Sequence, residues 1–117
     1  MSSERLWRFR IRHILEAIER IQAYAANLDL PTFQSDTRTM QAIAWNFMII
    51  GEAARHIPLE IERSNPEVPW RDMRDMRNMI VHGYDSISPE IMFDTIRNDI
   101  PQLVPMLHAI LARENEG

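Results

Sequence analysis

A chain of 117 residues, 45% apolar and 26% charged, is long enough for one well-packed domain and too short for two. It has no cysteine, which excludes a disulfide framework and a thiolate metal site, and its net charge of −4 argues against a generally basic surface for nucleic acid. The N-terminal Met1-Ser2-Ser3-Glu4-Arg5 leads into an amphipathic pattern rather than an apolar signal core. No apolar run approaches the roughly 18 residues of a membrane span, so a cytoplasmic protein without membrane contact is expected.

The pattern is helical throughout, and no strand alternation or internal repeat interrupts it. From Glu4 to about Asn27, Ile14, Ala17, Ile18, Ile21, Ala25 and Leu28 recur at steps of three and four, which is one face of a helix. Leu30-Pro31-Thr32 is expected to break that helix, and Ser35, Asp36 or Thr37 to cap the next. This second helix runs to about Ile57, where Pro58 ends it. It carries Met40, Ile43, Phe47, Ile50 and Ala54 on one stripe and Trp45 and Ile49 on another. A helix apolar on two faces is expected to be central, or to be covered a second time by a partner chain.

Residues 58–69 contain three prolines and read as an ordered connector. A third helix starts near Trp70 and ends at Gly83, where a left-handed cap is expected. Ser88 and Pro89 then open a fourth, as N-cap and first helical residue, with Met92, Ile96, Leu103, Leu107 and Ile110 as its core face. Pro101 and Pro105 fall inside that pattern and predict a kink or an early break. The economical architecture is all-α: residues 1–117 as a single domain, a four-helix up-and-down bundle.

The chemistry concentrates in Arg77-Asn78-Met79-Ile80-Val81-His82-Gly83-Tyr84. Arginine and histidine together can drive phosphoryl transfer without a metal, the first offsetting phosphate charge and the second moving protons near neutral pH. All thirteen cationic side chains are arginines, whose planar forks suit phosphate better than lysine does. Five helical residues turn about 500° and rise about 7.5 Å, so Arg77 and His82 do not share a stripe, whereas Asn78 and His82 do. A long arginine near a helix end still reaches a phosphate held at the histidine. Cleavage of RNA by its own 2′-hydroxyl needs a base, an acid and a cation, and one chain supplies one suitable histidine. A two-fold dimer would bring two of each across one groove.

The spacing by itself is weak, because Arg77 could simply pair with Asp72 or Asp75 and His82 could merely end its helix. Arg71 and Arg74 could extend an RNA-contacting strip or pair with the same aspartates. Three arginines against two aspartates leave residues 71–84 with a net charge of +1. Glu52 and His56 share a helical face, but a single carboxylate–histidine pair is too few ligands for a metal. Gly51 is expected to permit close helix packing, and Glu52 to pair an arginine near the groove. His13 and His108 read as surface or edge residues, the eight methionines as core filler, and Trp45 and Trp70 as core rather than base-stacking residues.

In combination these segments are specific. The chain resembles the HepT-like ribonuclease toxins of the HEPN superfamily, four-helix toxins paired with MNT-type nucleotidyltransferases. The resemblance rests on Arg-Asn-Met-Ile-Val-His-Gly-Tyr at 77–84, Ile50-Gly51-Glu52-Ala53, Val68-Pro69-Trp70 and Asp99-Ile100-Pro101, in family order over most of residues 10–105. It implies a metal-independent endoribonuclease toxin, without cofactor, acting as a homodimer with the motif lining the inter-subunit groove. Arg77 and His82 would be catalytic, and Asn78 and Glu52 would support the site. Tyr84 would be the residue that a nucleotidyltransferase antitoxin modifies with AMP. The alternative is a helical module that binds the nucleotidyltransferase and has little or no nuclease activity.

Overall fold

Periodicity, caps and prolines together dictate the elements of the computed structural model, which describes residues 3–116, with side chains over 5–113. The outermost residues of the expected 1–117 domain lie outside that range. Seven α-helices are formed among the described residues: α1 Ser3–Ala25, α2 Leu30–Ser35, α3 Thr37–Ala54, α4 Leu59–Ser64, α5 Trp70–Gly83, α6 Pro89–Asp94 and α7 Ile100–Glu116. No strand is present among them, so the fold is all-α. None of these helices is long and apolar enough to cross a membrane.

The long helix α3 packs between α1 and α5, and α1 packs against α7 on its other side. The periodic faces meet in one core, where Ile14, Ile18 and Ile21 of α1 join Ile43 and Ile50 of α3 and Leu107 of α7, each 2% exposed or less. All five residues expected on the last core face, Met92, Ile96, Leu103, Leu107 and Ile110, are buried. Polar links fix the helices against each other. Arg20 Nε donates to Asn46 Oδ1 at 2.7 Å between α1 and α3, and Arg8 donates to the Leu111 carbonyl at 3.1 Å between α1 and α7.

Two local expectations are corrected, at Gly83 and at Trp45, and three others take a more definite form. The first helix ends before Leu30-Pro31-Thr32, as expected, and that segment starts a helix of its own. Asp29 caps Thr32, Pro31 sits in the first turn, and a short helix buries Phe33. Asparagine tolerates the left-handed region, and Asn27 (φ 66°) turns the chain after α1. The 58–69 connector is ordered as expected but contains α4, and Trp70 Nε1 donates to the Asn65 carbonyl at 3.0 Å, fastening α4 to α5. Gly83 is not left-handed: its φ is −165°, and the chain runs on into a 3₁₀ turn over Tyr84–Ser86.

The interruption expected in the last helical pattern falls at Thr95–Asp99, between α6 and α7. Proline lacks a donor and its ring collides with the carbonyl four residues back. One wide π turn over Thr95–Asp99, just before Pro101, accommodates that ring, and α6 and α7 continue through it as one helical stretch to Glu116. The same turn presents Arg97 to the Leu28 carbonyl and over the Phe93 ring. Finally, Trp70 is buried as expected, but Trp45 is 59% exposed. With α1 and α5 on its two flanks, α3 leaves the Trp45 side open.

Carboxylates do much of the capping. Asp36 accepts from the Thr39 hydroxyl at 2.6 Å and from its amide at 3.1 Å, and these bonds hold its carboxyl below the ordinary value. Asp29 is held down in the same way by Thr32. A carboxyl depressed in the folded state stabilises fully above its unfolded pKa, and that contribution disappears as pH falls through the folded one. The melting temperature should therefore be level from pH 7 to about 5 and fall below about 4. The fall should be shallower in Asp36→Asn, read by circular dichroism melts.

Candidate active site

The site is built where α3 and α5 approach most closely. Gly51 faces Arg77 there, and an ideal Cβ on residue 51 would overlap Arg77 Cβ and lie 2.7 Å from the Met73 carbonyl oxygen. Absence of a side chain at Gly51 thus seats the Arg77 stem directly on α3. One residue on, Glu52 accepts from Arg55 Nη1 at 3.1 Å, forms an ion pair with Arg77 Nε at 3.4 Å and pairs with His56 Nε2 at 3.4 Å. Partial burial pushes the Glu52 carboxyl up. Hydrogen bonds and charge from His56, Arg55 and Arg77 outweigh that and leave it below its ordinary value. Glu52 is therefore an anion at neutral pH and orients the guanidinium of Arg77.

Arg77 pairs with Glu52 and with neither Asp72 nor Asp75. Its Nη1 also donates to Asn78 Oδ1 at 3.1 Å. The Arg77 side chain is only 24% exposed, so it is a held cation rather than a waving surface arginine. His82 lies in the last turn of α5, exposed, with no hydrogen bond or ion pair to another described residue. Tyr84 opens the 3₁₀ turn two residues later and packs half-buried against the core. A held arginine, a neighbouring amide and a histidine open to solvent thus lie together in the C-terminal half of α5.

The other two arginines of α5 differ from each other. Arg74 is tied to Glu62 of α4, so its charge is already matched. Arg71 is 88% exposed and makes only a loose 3.8 Å pair with Asp75. The Glu52–His56 pair gains no third ligand: among the described residues no three His, Asp or Glu side chains gather as a metal-binding set.

A recess of about 320 Å³ opens beside Arg77, walled by α1 and α3. Arg10, His13, Trp45 and Glu52 line it together with Arg77. Arg10 and His13 carried no motif signal. The pointer to them was compositional: Arg5, Arg8, Arg10 and Arg12 crowd into eight residues of an otherwise acidic chain.

Comparison with known proteins adds the following. A family model described as Ribonuclease HepT-like matches residues 14–110. A probable ribonuclease HepT of Thermococcus cleftensis is 36% identical over 93 residues, covering 80% of this chain and 84% of that protein. A protein named Putative RNase from Caldanaerobacter subterraneus subsp. tengcongensis is 29% identical over 104 residues, covering 89% and 93%. One of the same description from Methanocaldococcus jannaschii is 29% identical over 104 residues, covering 89% and 85%. No solved structure matches the chain.

Proposed function

The chain belongs to the HepT-like ribonuclease family, and from that premise we propose that it is a metal-independent endoribonuclease whose reacting groups are Arg77 and His82. The observation that carries this reading is Arg77, seated on Gly51 and held by Glu52, five residues before a solvent-facing His82. In the reaction, His82 takes the proton of a ribose 2′-hydroxyl as O2′ bonds to phosphorus. Arg77 stabilises the charge that develops on the phosphorane oxygens. The P–O5′ bond then breaks, and the departing 5′-oxygen receives a proton. Base and acid require two histidines, so the active unit is a homodimer in which a second copy's motif faces the first across one groove. We read the four long helical stretches as an up-and-down HEPN-type bundle that presents the motif at that groove. Asn78 orients the Arg77 fork, and Arg71 extends the phosphate-contacting strip.

The wider reading is a cytoplasmic toxin silenced by a cognate MNT-type nucleotidyltransferase that attaches AMP to Tyr84. An AMP group two residues from His82 would add negative charge and bulk at the groove and repel RNA phosphate. Incubation of the purified protein with RNA tests the chemistry. Cleavage should persist in EDTA and leave 2′,3′-cyclic phosphate and 5′-hydroxyl ends. Activity abolished by EDTA and restored by a divalent cation would refute the metal-free mechanism.

A further inference from the structure

The recess beside Arg77 has features that the motif chemistry does not use. It is lined by two arginines and a histidine against a single carboxylate, Glu52, which already serves Arg55, His56 and Arg77. Its charge is therefore locally positive in a chain of net −4. The Arg10 Nε is buried without a hydrogen-bond partner, and Arg10 forms no ion pair with any described residue. Arg10 lines the recess with no carboxylate of its own, so its positive charge is unmatched among the described residues and suits an anion from outside the chain. Trp45, 59% exposed on the α3 wall, offers a broad aromatic face at the mouth. The arginine-rich first half of α1 leads up to the same place. A cationic groove interleaved with an exposed aromatic is the arrangement that holds single-stranded nucleic acid.

We propose that this recess is a nucleotide subsite, in which Arg10 with His13 binds the backbone phosphate flanking the scissile one and Trp45 stacks on the adjoining base. The inference rests on the ribonuclease reading and extends it, because it names the substrate form. A base can reach Trp45 only when unpaired, so the substrate is a single-stranded stretch or a loop rather than a duplex. Arg77 belongs to both halves, with its fork at the scissile phosphate and its stem along the recess wall. Arg10 acts as a binding and positioning residue that sets the register of the strand over His82.

The test uses the full chain carrying His82→Ala, so that binding is read without cleavage. The probe is a fluorescently labelled single-stranded RNA of mixed sequence, followed by anisotropy across a salt series. Arg10→Met, which keeps the side-chain stem packed, should weaken binding about tenfold and lower the slope of log affinity against log salt by about 0.7, one phosphate contact's worth. Arg10→Lys should restore most of that slope. Trp45→Ala should weaken binding about tenfold with the slope unchanged, and Trp45→Phe should recover part of the loss. A duplex of the same sequence should bind equally to all four variants. Unchanged affinity and slope in Arg10→Met and Trp45→Ala, while the unmodified chain still cleaves RNA, would overturn the subsite and leave the ribonuclease reading intact. If the unmodified chain neither bound nor cleaved RNA, both would fall. Loss of the dimer in Trp45→Ala and Arg10→Met by sedimentation, with RNA affinity following only dimer content, would reassign this face to contact between copies and overturn the subsite.

Discussion

Replacing His82 with alanine is expected to slow RNA cleavage by about 10²- to 10⁴-fold, the usual worth of a positioned acid–base group, and to leave the thermal melt unchanged. The separation follows from its surroundings. His82 is exposed in the last turn of α5, and no described residue bonds to it, so its removal opens no cavity and orphans no partner. Substitution at Arg77 has no such clean outcome, because it leaves Glu52 without one of its three partners and empties the contact against Gly51. His82→Ala is accordingly the sharper probe of chemistry. In cells, expression of the wild-type chain without a partner should arrest growth, and His82→Ala should relieve the arrest. A His82→Ala protein that cleaves RNA at the wild-type rate would remove His82 from the mechanism.

The second large effect is expected at Gly51→Ala. A methyl group there meets Arg77 Cβ and the Met73 carbonyl oxygen, which are a side-chain root and a backbone atom rather than a flexible tip. Relief requires α5 to move away from α3. Overpacking of this kind costs about 1–3 kcal/mol. Alanine's better helix propensity returns about 1 kcal/mol, so the net loss of stability should be up to about 2 kcal/mol. Activity should suffer more than stability. The displaced residue is Arg77, and a shift on the order of 1 Å at a charge-stabilising group costs about 10²-fold in rate. Glycine 51 has an ordinary negative φ, so close approach and not backbone freedom is the reason for glycine at this position. Thermal melts and cleavage rates on Gly51→Ala check both parts. A melt within a degree of wild type together with full activity would mean that α3 and α5 do not approach as closely as described.

Much of the fold was legible because its signals are local. A repeat of three and four identified the buried face of α1 and of the last helix. Oxygen-bearing side chains one residue before a helix marked Asp36 and Ser88 as caps, and both accept the expected amide bonds. Close helix packing at Gly51, and the pairing of Glu52 with an arginine, were also readable in kind from a glycine and a glutamate side by side on a central helix.

What the sequence determined by itself is thus the long helices, the main face each turns inward, and the segment that carries the arginine–histidine motif, since each follows from neighbours within a few positions along the chain. Tertiary structure alone decided the rest. It chose Glu52 over Asp72 and Asp75 as the partner of Arg77, because Gly51 lets α5 sit directly on α3. It left Trp45 in solvent, because α1 and α5 take the flanks of α3 and nothing described covers its remaining side. It gave the interruption before Pro101 the form of a π turn, because the helix beyond it still buries Leu103, Leu107 and Ile110. It also brought Arg10 and His13 of the first helix beside Arg77 of the fifth, a meeting set by how helices pack and invisible to any periodicity along one of them.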